Sequence, residues 1–231
     1  MTHPRPFADR FEAGRALATA LDDYAGRSDV VVLGLPRGGV PVAHAVALAL
    51  GAPLDAFVVR KLGVPGRTEL AMGAIATGGV LVLNPGVVSA MGVTRGQIDD
   101  ATARETVELD RRERLYRGHR PPPDVGGRTV IVVDDGLATG ATMRAAVEAL
   151  RAGQPRRVIV AVPVGAESTC RELRRVADGV VCVLSPTPFD AVGRWFADFT
   201  PPSDEDVRRL VSGSAGSAGP GDATMAEEAD I

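Results

Sequence analysis

The residues of this chain whose types and spacing could do chemistry are concentrated in the stretch VIVVDDGLATGAT, residues 130–142. Asp134 and Asp135 follow a β-branched run, so we expect them at the carboxyl end of a buried strand, where open α/β sheets bind their ligands. Two neighbouring carboxylates repel each other and lose hydration on burial, so they need hydroxyls, amides or a metal as partners. Their position favours a ligand that carries several hydroxyl groups.

The loop that follows the two acids, residues 136–142, leads into a predicted helix. Backbone N–H groups from about Ala138 to Thr142 can converge there on an anion at the positive end of the helix dipole. Thr139 and Thr142 add hydroxyl donors, and Gly140 lets the backbone approach a ligand closely. A phosphate beside acids that bind a diol describes a ribose 5-phosphate.

Other phosphate-binding loops fit this stretch less well. A nucleoside-triphosphate P-loop needs a lysine before its serine or threonine, and GLATGAT has none. A dinucleotide fold needs the spacing GxGxxG after its first strand, and neither GLPRGG nor GLATGAT matches it. A purely structural role is the other alternative, in which the acids cap a helix or turn and the Gly and Thr residues fill a tight corner. It could explain any one residue of the stretch, but it explains the whole combination poorly.

The elements that must position the site alternate between strand and helix. Continuous apolar strands are covered on both faces, so they predict a doubly wound α/β domain with a parallel sheet of about five strands. The expected strands cover residues 29–35, 54–61, 128–135, 157–164 and 179–185, and the expected helices between and before them cover 8–25, 40–50, 139–152 and 167–175.

The segments outside this alternation give further expectations. Residues 62–73 show no periodicity, so we predict a flexible loop, followed by a hairpin that turns at Gly78-Gly79. Thr94 and Gln97 form a capping-box signature for an exposed helix that runs to about Arg117, and a last helix begins after Ser203. Residues 212–231 are rich in Gly, Ser and Ala and then acidic, so we expect a disordered tail.

Composition excludes several classes of protein. A net charge of -3 with scattered arginines disfavours nucleic acid as a partner. Residues 40–59 are apolar but interrupted, the first residues lack a secretory signal, and no membrane association is expected. The cysteines, Cys170 and Cys182, read as small buried residues in a reducing compartment, and the histidines and cysteines lack zinc-ligand spacing. We therefore predict a cytoplasmic protein.

The stretch at 130–142 resembles the signature of type I phosphoribosyltransferases, in which a hydrophobic strand precedes two acids and a loop that ends in T-G-x-T. The resemblance implies a five-stranded parallel core, a mobile loop over the site and a variable hood that holds the acceptor. By order of elements it extends over about residues 8–211. We take 1–211 as one phosphoribosyltransferase domain, with hood elements at about 85–120 and 186–211.

The resemblance also implies roles for the residues of this stretch. The ligand would be phosphoribosyl pyrophosphate (PRPP), with Asp134 and Asp135 on the ribose hydroxyls as catalytic residues. The 5-phosphate would be bound by Gly136, Leu137, Ala138, Thr139, Gly140, Ala141 and Thr142.

Three further stretches resemble parts of the same family. GLPRGG after the first strand is similar to the pyrophosphate loop, which implies that Arg37, Gly38 and Gly39 face the leaving group; members often carry a non-proline cis peptide there. VVRK at 58–61 is similar to the basic strand end of adenine and orotate enzymes, which implies Arg60 at the pyrophosphate and Lys61 as a catalytic cation. In the segment 62–73, Glu69 is a catalytic candidate beside Arg67.

The reaction implied is substitution at the anomeric carbon by a small nitrogenous acceptor, through an oxocarbenium-like transition state, with release of pyrophosphate. Mg²⁺ would accompany PRPP; no residue is assigned as a direct protein ligand, and Asp134 or Asp135 would act on the ion only through PRPP or water. A homodimer is compatible with the resemblance. The alternative function is a PRPP- or nucleotide-sensing regulatory protein with the same fold and little or no catalysis.

One position bears on the acceptor. Hypoxanthine-guanine enzymes usually have an aspartate just before the T-G pair, whereas this chain has Ala138, as adenine enzymes commonly do. The resemblance therefore disfavours a 6-oxopurine acceptor and leaves other nitrogen heterocycles open. Trp195, Phe196 and Phe199 could stack on a base, but core packing is the preferred interpretation.

Overall fold

The computed structural model describes residues 6–213 of the chain, which form eight strands and seven α-helices. The strands are β1 Val30–Gly34, β2 Leu54–Ala56, β3 Val59–Val64, β4 Arg67–Ala76, β5 Val80–Leu83, β6 Thr129–Val133, β7 Arg157–Val164 and β8 Gly179–Leu184. The helices are α1 Arg10–Thr19, α2 Gly39–Leu50, α3 Pro85–Ala90, α4 Arg95–Arg117, α5 Ala141–Ala152, α6 Glu167–Leu173 and α7 Asp204–Gly213.

The central sheet confirms the predicted α/β core. It has five parallel strands in the order β2-β1-β6-β7-β8. Every residue of β1 and β6 is buried, because alternate side chains enter apolar clusters on opposite faces of the sheet. One cluster packs the sheet against α1 and α2, and the other packs it against α5 and α6.

The strand order reverses between β1 and β6. From β1 the chain continues to β2 on one side, whereas β6, β7 and β8 follow one another on the other side. The register runs from Val30 beside Thr129 to Gly34 beside Val133, so the two strands end level. A crevice at this switch point is the place where open α/β sheets bind ligands. Asp134 and Asp135 follow β6 there directly.

A second, antiparallel sheet consists of β3, β4 and β5. One of its faces packs on α5, and the other contributes Leu62, Met72 and Ile75 to a cluster with residues of α4 and α7. The predicted hairpin turn at Gly78-Gly79 is confirmed, with φ values of 81° and 74° that only glycine adopts readily.

The prediction of one strand over 54–61 was wrong, because this segment divides between the two sheets. β2 pairs with β1 only as far as Ala56. The next backbone groups are then captured by Thr77: its hydroxyl accepts from the Val58 N–H at 2.8 Å, and its own N–H donates to the Val58 carbonyl at 2.9 Å. The chain therefore leaves the parallel sheet at Phe57 and enters the antiparallel one.

The prediction of a flexible loop over 62–73 was also wrong. These residues complete β3 and most of β4, which meet at a turn where Gly66 has a φ of 75°. A bulge at Gly63 breaks the regular pairing, and a methyl group there would lie 2.7 Å from the Thr68 carbonyl oxygen. The bulge and the glycines hide the two-residue alternation from which a strand is recognised in a sequence.

Helix α4 lies against the outer face of the antiparallel sheet, and α7 packs against α4 and α2. The Thr94 capping box of α4 and the Ser203 cap of α7 are both present, as predicted. The expected disordered tail began at residue 212, but α7 extends to Gly213; the rest of that prediction lies outside the described residues. Within residues 6–213, no helix combines the length and apolar character needed to cross a membrane.

A buried ion pair fixes the end of α4 to the parallel sheet. The Arg117 guanidinium donates to both carboxylate oxygens of Asp55 in β2, at 3.0 and 2.8 Å, and also to the Pro121 carbonyl. The side chains of Arg117 and Asp55 are only 3% and 12% exposed. Removal of Arg117 would leave the buried Asp55 carboxylate to pair with the more exposed Arg120 at 3.3 Å.

We expect Arg117→Met to lower the free energy of unfolding by about 3 kcal/mol, the usual cost of breaking a buried ion pair from one side. Urea denaturation followed by circular dichroism measures this. Arg95→Met is the matched control, because the ion pair of Arg95 with Asp99 is 88% and 61% exposed and should contribute almost nothing. Equal stability of the two variants would contradict the role given to Arg117.

Candidate active site

The crevice between β1 and β6 brings two of the predicted motifs together. The loop after β1 lies beside the acid pair, because the Leu35 N–H donates to the Val133 carbonyl at 2.9 Å. The peptide bond between Pro36 and Arg37 is cis, as the resemblance led us to expect. α2 begins at Gly39, so its N-terminus faces the same crevice.

Gly38 and Gly39 are the points of closest approach between this loop and the acids. A methyl group on Gly38 would lie 2.0 Å from Oδ2 of Asp135. A methyl group on Gly39 would lie 2.6 Å from the Val133 carbonyl oxygen and 2.9 Å from the Cα of Asp134. Glycine is required at both positions by this contact, and neither depends on an unusual φ.

Arg10, the first residue of α1, is the cationic partner of the acid pair. Its Nε and Nη2 both donate to Oδ2 of Asp135, at 2.9 and 2.8 Å, and its Nη1 donates to the Thr200 carbonyl at 2.9 Å. The guanidinium carbon lies 4.0 Å from the centre of the Phe199 ring. The Arg10 side chain is 9% exposed, so these contacts hold a nearly buried cation in a fixed place.

The two carboxyl groups differ in their electrostatic environment. Burial raises the pKa of Asp134 well above its ordinary value, and the neighbouring Asp135 charge raises it further. Burial also raises the pKa of Asp135, but hydrogen bonds from Arg10 and the Arg10 charge act in the opposite direction. Arg10 therefore favours ionised Asp135, and Asp134 is the member of the pair that more readily holds a proton.

The predicted phosphate loop, residues 136–142, is held from below by β7 and α6. The Leu137 N–H donates to the Val164 carbonyl, the Ala166 N–H donates to the Leu137 carbonyl, and both distances are 2.9 Å. Gly140 has a φ of 70° and caps α5, which starts at Ala141. The first N–H groups of an α-helix lack intrahelical partners, and those of α5 follow directly after the loop that begins at the acids.

Comparison with known proteins identifies the family. A family model described as the phosphoribosyl transferase domain matches residues 8–192. The chain belongs to this family.

Two relatives support the same assignment. A Mycobacterium tuberculosis protein provisionally named a phosphoribosyl transferase is 47% identical over 201 residues, which are 87% of this chain and 45% of that protein. The chain thus spans about half the length of this curated relative. The crystal structure of TT1426 from Thermus thermophilus is 44% identical, covers 91% of this chain and 100% of its own, and superposes with a TM-score of 0.83.

Within this phosphoribosyl transferase domain, the basic residues predicted at the end of the second strand point in opposite directions. Arg60 forms an ion pair with Glu105 of α4, with Nη2 and Oε2 2.7 Å apart. Alternate residues of a strand face opposite sides, and Val59 packs toward α5. Lys61 is exposed and shares the α5 face of β3 with Val59. Of these two residues, only Lys61 lies on the face of the antiparallel sheet that packs on α5, the helix that follows the predicted phosphate loop.

The remaining predicted residues lie at the surface. Arg37 is exposed beside the crevice, and Glu69 is exposed on β4 near the turn between β3 and β4.

The Tyr116 hydroxyl of α4 donates to Asp204 of α7 at 2.7 Å. Burial and this bond raise the pKa of Tyr116 to about 12, whereas the nearby Arg37 charge acts to lower it. The helices α4 and α7, which belong to the predicted hood, therefore meet close to the predicted pyrophosphate loop.

The aromatic residues of the C-terminal segment pack together, as the preferred interpretation held. Phe196 lies 5.8 Å from Phe7 and 5.0 Å from Phe199, measured between ring centres. Phe196 is 6% exposed. The Phe196 and Phe199 rings lie 5.8 and 4.0 Å from the Arg10 guanidinium carbon, so they help to hold the partner of Asp135.

Sequence reasoning missed Arg10. It stands 125 positions before Asp135, in a helix whose only sequence signal is its spacing of apolar residues. Arg10 lies on the inner side of α1 and is 8% exposed, whereas an arginine in a charged helix is ordinarily assigned to the solvent face. A requirement for a cation beside two buried acids was the one available signal.

We expect Asp134→Asn to stabilise the protein at neutral pH. The raised pKa means that the Asp134 contribution to stability is fully present below the ordinary value of 3.8 and is lost as the pH rises through the folded-state pKa. Asparagine does not ionise, so the variant keeps this stability as the pH rises. The difference in free energy of unfolding between variant and wild type, measured by urea denaturation, should therefore grow with pH.

Asp178→Asn supplies a control of opposite sign. Burial acts to raise the pKa of Asp178, but hydrogen bonds from Arg151 and from the Val158 N–H outweigh it, so the pKa is lowered. Its substitution should destabilise the protein at neutral pH, and the difference from the wild type should shrink as the pH falls. A pH-independent effect of Asp134→Asn would contradict the assignment of a raised pKa.

Proposed function

We propose that this protein binds PRPP in the crevice between β1 and β6 and transfers its 5-phosphoribosyl group to a small nitrogenous acceptor, with release of pyrophosphate. The observation that carries the proposal is the placement of two partly buried acids and the start of α5 side by side at the switch point of the sheet. Membership of the phosphoribosyl transferase family supports it.

The acid pair suits the ribose hydroxyls. Arg10 favours the ionised form of Asp135, which can accept hydrogen bonds from hydroxyl groups. Two Arg10 donors hold Oδ2 of Asp135 in place, and a third anchors Arg10 to the Thr200 carbonyl. Asp134 can accept when ionised and donate when protonated, as its raised pKa allows. The two acids would therefore orient the sugar ring so that its anomeric carbon faces the acceptor.

The 5-phosphate suits the loop at 136–142. Ala138, Thr139, Ala141 and Thr142 are exposed to the crevice side, and the helix dipole of α5 favours an anion at this end. We assign Gly136 to Thr142 to this phosphate. Binding energy from a remote phosphate can be used to hold the reacting carbon in place.

The leaving pyrophosphate suits the loop after β1. Gly38 and Gly39 at the start of α2 bring the backbone of this loop to the acids, and Arg37 is exposed beside them. The Gly39 N–H already donates to the Leu35 carbonyl at 3.0 Å, so the Gly38 amide and Arg37 are the proposed donors to pyrophosphate. Lys61 is the preferred second cation, because Arg60 would first have to leave Glu105. Glu69 stays a candidate near the hairpin turn.

The acid pair also fits a role for magnesium. Within residues 6–213 no three acidic, histidine or cysteine side chains come together as a metal site, but Mg²⁺ is commonly bound by substrate phosphates with few protein carboxylates. Bound with PRPP, the ion would stabilise the negative charge that develops on pyrophosphate. Asp134 and Asp135 would contact it only through PRPP or water.

The transition state would carry positive charge on the ribose ring. The negative charge of Asp135 next to the ring stabilises an oxocarbenium-like species, and water must be kept away from it. Closure by a free loop over 62–73 is not available, since Leu62, Val64 and Met72 are packed into the cluster under α4. Exclusion of water would therefore fall to the bound acceptor and the hood elements.

The acceptor follows from what stands at position 138. Ala138 has no carboxylate to act as a base toward a 6-oxopurine, so we propose a different nitrogen heterocycle. Phe196 and Phe199 are occupied with Arg10 and with each other, which removes them as a stacking surface. A cytoplasmic location is part of the proposal because both cysteines are free thiols.

The decisive experiment measures pyrophosphate release from PRPP and Mg²⁺ with a panel of purine, pyrimidine and other nitrogen bases. We expect turnover that depends on the acceptor, and a loss of about 100-fold or more in kcat/KM for Asp135→Asn, since a charge that stabilises the transition state is removed. Asp99→Asn is the matched control, because it alters an exposed aspartate that also pairs with an arginine.

The outcomes separate the two functions considered. Turnover with some bases and none with hypoxanthine or guanine supports the proposal in full. Tight PRPP binding in calorimetry without turnover for any base would contradict the proposed enzymatic activity and favour the regulatory alternative. Turnover equal in wild type and Asp135→Asn would remove Asp135 from the mechanism.

We expect Gly38→Ala to weaken PRPP binding by about tenfold or more. The added methyl carbon would lie 2.0 Å from Oδ2 of Asp135, which is too close for both atoms to stay in place. The Asp135 carboxylate would therefore be displaced from Arg10. Isothermal titration calorimetry measures the effect. Gly96→Ala in α4 meets no atom within 4 Å and should bind PRPP as the wild type does, with a small gain in stability from helix propensity.

A further inference from the structure

The two cysteines lie together beneath the phosphate loop. Cys170 belongs to α6, Cys182 belongs to β8, and both are free thiols. A methyl group built on Gly165, at the end of β7, would lie 3.1 Å from the sulfur of Cys170 and 3.4 Å from the sulfur of Cys182. Both sulfurs therefore rest against the same point of the backbone, within reach of each other.

The two thiols are unequal. Cys170 is 1% exposed, whereas Cys182 is only half-buried and stands on β8, the edge strand of the sheet. A hydrogen bond with Cys170, aided by the Ser185 hydroxyl, lowers the pKa of Cys182 to about 7 against the effect of burial. The same interaction and burial raise the pKa of Cys170. Cys182 is thus the more exposed and more readily ionised of the two thiols, and Cys170 is the buried thiol that keeps its proton.

The residue next to Cys170 supports the phosphate loop directly. The Thr169 hydroxyl donates to the Ala138 carbonyl at 2.6 Å. A methyl group on Gly140 would lie 2.5 Å from Cγ2 of Thr169, so the side chain of Thr169 also fills the space under that glycine. Any displacement of this part of α6 must pass to the loop through Thr169.

We infer that Cys170 and Cys182 form an oxidant-sensitive disulfide site, and that its oxidation weakens binding of a phosphate at residues 136–142. The Cys182 thiolate attacks a peroxide; the O–O bond breaks, an S–O bond forms, and hydroxide leaves. Cys170 then attacks the resulting sulfenic acid; an S–S bond forms, the S–O bond breaks, and the oxygen leaves as water with the Cys170 proton. The two sulfurs lose two electrons to the peroxide.

The movement follows from the length of the bond. The sulfurs of two free thiols must approach each other to about 2.05 Å to form a disulfide. Cys182 is held in the sheet by pairing of β8 with β7. The seven-residue helix α6 is outside the sheet and carries Cys170 and Thr169 together, so it is the element that we expect to shift. The bond to Ala138 is therefore strained or broken on oxidation, and the loop is loosened.

The test treats purified full-length protein with hydrogen peroxide and follows the thiols by intact and peptide mass spectrometry. We expect one intramolecular disulfide between Cys170 and Cys182 that dithiothreitol reverses. Amide hydrogen exchange of residues 136–142 should accelerate on oxidation, and affinity for ribose 5-phosphate, measured by calorimetry, should fall about tenfold. Cys182→Ser should show none of these changes, and Cys170→Ala should stop at the sulfenic acid.

The outcomes distinguish this inference from the function on which its ligand readout rests. Absence of the disulfide in folded protein, or a disulfide that leaves exchange of residues 136–142 unchanged, overturns the inference. If the reduced protein does not bind ribose 5-phosphate, the proposed function fails at that step, and disulfide formation and hydrogen exchange still decide the redox site. Two separate variants keep the test valid if the buried Cys170→Ala variant does not fold.

Discussion

The structure depends on the ion pair between Arg10 and Asp135. Two adjacent carboxylates at the end of β6 repel each other and are partly desolvated, so the site is unfavourable without a cation. Arg10 supplies it from the first residue of α1, and the Thr200 carbonyl and the Phe199 ring fix its direction. One interaction thus draws the N-terminal helix and the C-terminal segment to the edge of the central sheet.

The same ion pair limits the loop after β1. Oδ2 of Asp135 accepts both Arg10 donors at the place where a side chain on Gly38 would lie, so the cation and the glycine occupy one crowded corner. The loop can therefore approach the acids only with its backbone. The crevice is bounded by this backbone on one side and by carboxylates on the other. It suits a ligand that has hydroxyls next to a strongly anionic group.

The parallel core and the place of the site could be predicted because their signals are local. Continuous apolar strands, two acids at a strand end and a Gly/Thr loop are each contained in a few residues. The errors concern long-range contacts. Thr77 captures the backbone at Val58 and divides the strand expected over 54–61, and a bulge at Gly63 conceals the hairpin expected as a loop. Arg10 acquires its role only when the chain has folded and Asp135 stands beside it.

The support of the phosphate loop shows how a stable core and an adaptable site can share residues. Leu137 is tied by backbone bonds to β7 and α6, yet Ala138 depends on one side-chain hydrogen bond from Thr169. The first half of the loop is therefore fixed by the sheet, and the second half follows a short helix that has few sheet contacts of its own. The N-terminus of α5 begins immediately after this second half of the loop. A small shift of α6 therefore changes the direction of the first backbone amides of α5. The position of the predicted phosphate loop thus depends on α6 as well as on the motif itself.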